Sequence, residues 1–185
     1  MRVRSALTAL ALVAGASVSV AAAPAQAAAV PAAPAAAAPA AAASPAAPLV
    51  TKISHSQATS MFRSSGITWS SSGGCSDRNN STCTSFDQLN LASAQGAQTL
   101  KSASGCALNI TGGTETGHAG GTYSHWNGYK LDFSLGTCVN NYVTGNFAYI
   151  GQRGDGAAMY QSGSGNIYAR EGNHWDVTYY NCGGC

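Results

Sequence analysis

The chain has 185 residues, with nine Lys plus Arg against seven Asp plus Glu and six cysteines. A formal charge of +2 with no basic cluster excludes the electrostatic footprint of a nucleic-acid binder. The one long apolar stretch, Ala6 to Ala23, stands at the N-terminus, and nothing downstream is apolar enough to suggest a membrane span.

Met1-Arg2-Val3-Arg4, the apolar run and Ala25-Gln26-Ala27 form the basic start, apolar middle and small-residue site of a secretory signal over residues 1–27. The protein is therefore expected to be secreted, extracellular or cell-wall associated, with no membrane contact after signal removal. Residues 28–49 are almost entirely Ala and Pro, a linker composition that cannot bury a varied core. All six prolines fall at or before Pro48, so one globular domain is expected over 50–185. Without Arg2 and Arg4 the exported chain has seven cations against seven anions, and it is expected to act as a monomer.

Ala58, Met61 and Phe62 recur at helical spacing between Ser54 and Ser65, which predicts a first helix ending before Gly66. A second helix is predicted from a Thr84 or Ser85 cap to about Ser102, with Phe86, Leu89 and Leu100 on its buried side. Cys106, Leu108 and Ile110 alternate as in a half-buried strand, and a Gly-rich loop follows from Gly112 to Gly121. Leu131, Phe133 and Leu135 then alternate with Lys130, Asp132 and Ser134, which places Asp132 on the face away from the core. A short helix is expected over Val139–Phe147, a loop over Gly151–Gly165, and strands over Asn166–Arg170 and His174–Tyr180. Helices early and strands late predict an α+β domain, an antiparallel sheet with helices packed on one side.

The exported location and even cysteine count predict a disulfide-stabilised domain. Proximity favours Cys75 with Cys83, Cys106 with Cys138, and Cys182 with Cys185, although Cys182-Gly183-Gly184-Cys185 also has the spacing of a metal knuckle.

Two segments carry the candidate chemistry. In the first, His125 and Asp132 flank the tight-turn pair Asn127-Gly128, so that one can precede the turn and the other follow it, aimed at one point. In the second, Glu171 and His174 flank Gly172-Asn173, another pair able to bend the chain. His125, Asp132 and His174 make a three-ligand set suited to Zn2+ with a fourth position for water, and Glu171 is the natural general base beside them.

These segments resemble the zinc D-alanyl-D-alanine carboxypeptidases and L-alanyl-D-glutamate endopeptidases, whose fold is shared with the hedgehog signalling domain. Their pattern is Ser-x-His-x-x-Gly-x-Ala-x-Asp, then Glu-x-x-His; His125, Gly128, Asp132, Glu171 and His174 fall on it. The resemblance implies a hedgehog/DD-peptidase-like fold and hydrolysis of peptidoglycan stem peptides. In place of the family's Ser and Ala stand Tyr123 and Lys130, and its Ser-Gly-Tyr-Arg corresponds to Thr111-Gly112-Gly113-Thr114, without the arginine. His118, Arg153 or Arg170 is left to supply that charge at the substrate or oxyanion, and a non-catalytic module binding cell wall or protein is the alternative function.

Glu115 and His118 either line the cleft or belong to a solvated loop. Asp176, on the His174 face of its strand, either orients that imidazole from behind or is an exposed carboxylate. Trp126 and Trp175 flank ligands and are expected to serve packing ahead of forming cleft walls.

Overall fold

The computed structural model describes residues 50–180. The expected signal, residues 1–27, the expected linker, 28–49, and the expected Cys182–Cys185 pair lie outside the described residues. Three helices and two sheets are formed in the order β1 (Lys52–Ile53), α1 (His55–Ser64), β2 (Thr68–Trp69), β3 (Leu89–Asn90), α2 (Leu91–Ser104), β4 (Asn109–Gly112), β5 (Lys130–Ser134), α3 (Thr137–Asn146), β6 (Ala148–Gln152), β7 (Ala158–Gln161), β8 (Ile167–Arg170) and β9 (His174–Thr178). β1 pairs with β3; the other seven strands form one sheet in the order β2-β4-β5-β9-β8-β7-β6. That sheet is antiparallel except at its β2 edge, where β2 runs parallel to β4.

The alternation read in β5 and β9 sorts their side chains between two environments. Leu131, Phe133, Trp175 and Val177 are fully buried in one core with Ala58 and Phe62 of α1, Ala94, Ala97 and Leu100 of α2, and Val139 and Val143 of α3. The helices thus cover the apolar face, leaving Asp132, Ser134, His174 and Asp176 on the other. α1 begins at Ser54 with a reciprocal cap: Gln57 N donates to Ser54 Oγ, and Ser54 N donates to Gln57 Oε1 at 2.9 Å. Cys75 is bonded to Cys83 and Cys106 to Cys138. No helix of the described residues is long and apolar enough to cross a membrane.

Two expectations are corrected. α2 is capped at Asn90 and not at Thr84 or Ser85. Thr84 Oγ1 donates to Ser70 O and Thr111 O, while Ser85 N donates to Glu115 Oε2, so both residues are committed to distant partners. The stretch Gly151–Gly165 is largely a hairpin, β6 and β7, and not a loop. β6 is the sheet edge, with Tyr149 and Ile150 exposed and an irregular register at Gly151, so no alternation of buried residues announces it.

Candidate metal site

Turns set up the site. Gly128 N donates to His125 O at 2.7 Å and Tyr129 N to Ser124 O at 3.1 Å, so the chain reverses between His125 and β5. Gly128 has φ +77°, and a side chain there would collide with the backbone at Gln88 and Asn90, so the turn requires glycine. Glu171 N donates to His174 O at 3.0 Å, closing the β8–β9 hairpin over Gly172-Asn173 and bringing the carboxylate beside the imidazole. Across the strands Asp132 is directly opposite Asp176, and Ser134 is opposite His174.

Around Asp132 the polar groups converge. Its Oδ1 lies 3.2 Å from His125 Nε2 and 3.5 Å from His174 Nε2. His125 Nδ1 is held by Gly113 O at 2.6 Å, and His174 Nδ1 by Asn173 Oδ1 at 2.7 Å. An oxygen acceptor at Nδ1 requires that nitrogen to donate its N–H, so in each neutral ring Nε2 is the lone-pair nitrogen. Two such nitrogens thus face one buried carboxylate oxygen that has no hydrogen-bond partner. Lone pairs and a carboxylate oxygen repel unless a proton or a metal ion lies between them, so the arrangement is compatible with a metal ion.

Among the described residues, the group whose ligand atoms all lie within 4.8 Å of one another and could hold a metal ion is His118, His125 and Asp132; the expected ligand His174 is not part of it, and His118 is. The His118 ring stacks on His125 with centroids 3.8 Å apart and planes 18° from parallel. Its Nε2 is 3.2 Å from Glu115 Oε1, and its Nδ1 is 3.7 Å from Asp132 Oδ2. Glu115 is only 3% exposed and accepts from Ser85 N at 2.7 Å and from Gly113 N at 3.0 Å, so the solvated-loop reading does not hold for it. Burial alone would raise the Glu115 carboxyl; the His118 ring and these backbone N–H groups outweigh it and lower the pKa. The Glu115 carboxylate in turn raises that of His118 against its burial.

Asp176 is buried and is not an exposed strand carboxylate. Nor does it orient His174: its Oδ1 is 3.8 Å from His125 Nε2, and Oδ2 accepts from Lys130 Nζ at 2.6 Å and Arg153 Nη1 at 2.8 Å. Burial would raise its pKa, but the charge and hydrogen bond of Lys130, aided by His125 and Arg153, lower it. Lys130, a departure from the family pattern, is thus bonded to Asp176.

Arg153 enters from the β6–β7 hairpin. Its guanidinium binds Asp155, Glu171 and Asp176, and Asp155, although exposed, is held at about 2 chiefly by its hydrogen bonds from Arg153. Glu171 therefore has Oε1 fixed by Arg153 and Oε2 turned toward His174 Nε2 at 3.4 Å. Arg170 is on the exposed end of β8 and does not line the cleft. Trp175 is core, but Trp126 is 44% exposed, its ring covered on one face by the Arg78 guanidinium 3.7 Å from the centroid. The packing role is corrected for Trp126: the site-bearing turn lies at the surface, where a large ring has no core to enter.

The cleft encloses about 550 Å³. Four carboxylates, Asp132, Asp155, Glu171 and Asp176, line it with two cations, Lys130 and Arg153. With neutral imidazoles the excess is two negative charges, which one divalent cation balances. Sequence reasoning missed Gly113 O and Asn173 as the groups that fix the imidazole tautomers, and the Asp176 clamp of Lys130 and Arg153. In the sequence Asn173 is marked only as a turn residue, and a backbone carbonyl leaves no signal there.

No family model matches the chain, and comparison with curated proteins and with solved structures returned no match.

Proposed function

We propose that the chain is a secreted, monomeric zinc peptidase that hydrolyses peptidoglycan stem peptides on a hedgehog/DD-peptidase-like fold. The observation that carries the hydrolytic reading is the convergence of His125 Nε2 and His174 Nε2 on the partnerless Asp132 Oδ1, with Glu171 alongside. The choice of stem peptides is supported by the resemblance of His125, Gly128, Asp132, Glu171 and His174 to the cell-wall peptidase pattern.

Zinc held by the two imidazoles and Asp132 supplies Lewis acidity toward the scissile carbonyl and acidifies water. Glu171 takes the proton of the attacking water and passes it to the leaving amine. Arg153 leaves only one carboxylate oxygen, Oε2, turned toward the ligands for that exchange. Gly113 O and Asn173 hold the imidazoles with Nε2 forward, and Asp176 Oδ1 lies 3.8 Å from that same nitrogen of His125.

A non-catalytic binding module is the second reading, and one observation favours it. Three carboxylates engage Arg153, so it is not a free cation for a developing oxyanion. The deciding experiment loads purified protein with zinc, measures stoichiometry, and follows release of D-alanine or stem fragments from peptidoglycan by chromatography. One zinc per chain with release supports the peptidase; zinc without release supports the binding module; absence of zinc binding overturns the metal site.

A further inference from the structure

We infer that His118 is the fourth metal ligand of the resting protein, binding through Nδ1. This rests on the metal site proposed above and adds a residue from a separate loop, one with no counterpart in the family pattern.

Three observations lead there. First, His118 is the residue whose ligand atom closes a mutual 4.8 Å group with those of His125 and Asp132. Second, its far nitrogen is already occupied: Glu115 Oε1 lies 3.2 Å from Nε2 and accepts a hydrogen bond from it, which in the neutral ring leaves the lone pair on Nδ1, on the Asp132 side. A carboxylate behind the ring is the support that metal-bound imidazoles commonly have. Glu115 is fixed behind the ring by its hydrogen bonds from Ser85 N and Gly113 N. Third, the other carboxylates of the cleft carry cations already, although Asp176 Oδ1 is itself buried without a hydrogen-bond partner. Glu171 is bound to Arg153, and Asp176 carries both Lys130 and Arg153 on Oδ2, two positive charges that oppose a cation at its other oxygen.

The stack with His125 shows what coordination requires. Lone pairs of parallel rings 3.8 Å apart do not meet at one ion, so His118 must tilt out of the stack to bind. Its side chain is 27% exposed and is followed by Ala119-Gly120-Gly121, where a Cβ on either glycine would meet nothing within 4 Å. The ring therefore has room to turn. Three imidazoles and one carboxylate would fill a four-coordinate site, so water and substrate would need His118 to leave or the site to expand to five ligands.

X-ray absorption on the zinc-loaded full chain counts the imidazoles directly. Three are expected in the parent and two in His118→Phe, which keeps the flat ring against His125 and removes the ligand atom. Zinc affinity, measured by competition with a chelator, should fall on the order of 10- to 100-fold in His118→Phe and by a similar factor in Glu115→Gln. Circular dichroism confirms that each variant is folded. Two imidazoles in the folded parent, with His118→Phe binding zinc as tightly, would overturn the inference while leaving His125, Asp132 and His174 in place. Two imidazoles with affinity lost in Asp176→Asn would transfer the fourth position to Asp176. No stoichiometric zinc in the parent would overturn the metal site itself, and this inference with it.

Discussion

Gly112 and Asp132 are register partners across β4 and β5, and the Asp132 carboxylate occupies the space that a side chain on Gly112 would fill. A Cβ at Gly112 would overlap Oδ2. The backbone there is not in the left-handed region, so Gly112→Ala tests the steric relationship without backbone strain. The variant should lose about 1–3 kcal/mol of stability from overpacking. Zinc affinity should fall on the order of tenfold or more as the ligand is displaced. Unchanged zinc affinity in the folded variant would remove Asp132 from the ligand set.

Glu171 and His174 are joined by one hairpin turn but should fail differently. Glu171→Gln keeps the shape and all proposed ligands, so zinc should stay bound while turnover drops roughly 10²- to 10⁴-fold. His174→Ala should lose metal as well as activity. The pair of measurements is zinc content and stem-peptide hydrolysis on the same preparations. A Glu171→Gln protein as fast as the parent would show that another group moves the proton.

The two disulfides close loops of different length, with separations of 8 residues for Cys75–Cys83 and 32 for Cys106–Cys138. In the chain-entropy account the shorter closure contributes about 2–3 kcal/mol and the longer about 3–4 kcal/mol. Replacing each pair by serine and measuring urea midpoints should therefore show the larger loss for Cys106–Cys138. The Cys75–Cys83 variant should also weaken zinc binding, because the loop it closes carries Arg78, whose Nε donates to Thr114 O and whose carbonyl accepts from Thr116 N beside Glu115. Equal zinc affinity with an intact fold would show that this loop does not support the site.

The contribution of the Glu115–His118 pair to the stability of the metal-free protein should be greatest in mildly acidic solution. The folded-state pKa of Glu115 is lowered from its ordinary 4.5, so its contribution is present above that value and is lost as pH falls through the folded value. That of His118 is raised from its ordinary 6.5, so its contribution is complete below 6.5 and is lost as pH rises through the folded value. Thermal unfolding with chelator present should show the pair's stabilisation greatest between pH 4.5 and 6.5. In His118→Phe the decline on the alkaline side should flatten. A parent and variant with parallel curves through that range would show that the pair contributes nothing to folding.

Much of this arrangement is legible in sequence wherever a local rule governs it. The period-two alternation of β5 and β9 assigns Leu131, Phe133, Trp175 and Val177 to the core and Asp132, His174 and Asp176 to the other face, because a strand allows only two directions. Asn127-Gly128 and Gly172-Asn173 announce the turns that bring His125 and Glu171 to the strand ends, since few other residue pairs reverse a chain so tightly. The hairpin of β6 and β7 escapes because an edge strand buries too little to impose a pattern.

The partners of the site residues belong to the tertiary structure alone. Lys130 and Asp176 are 46 positions apart, Ser85 and Glu115 30 apart, and Arg153 and Asp176 23 apart. Periodicity states which face a side chain takes; it carries no information about which strand, hairpin or loop arrives on that face. Register between β5 and β9 sets Asp132 opposite Asp176, and packing of the Gly113–His118 loop against Ser85 sets Glu115 behind His118. The sequence by itself determined the two turns that carry candidate ligands and the faces of two strands. Only long-range packing decided that a loop bearing a third imidazole, His118, would stand beside them and that Arg153 would be bound up in carboxylates, because those contacts are selected by the mutual fit of distant segments.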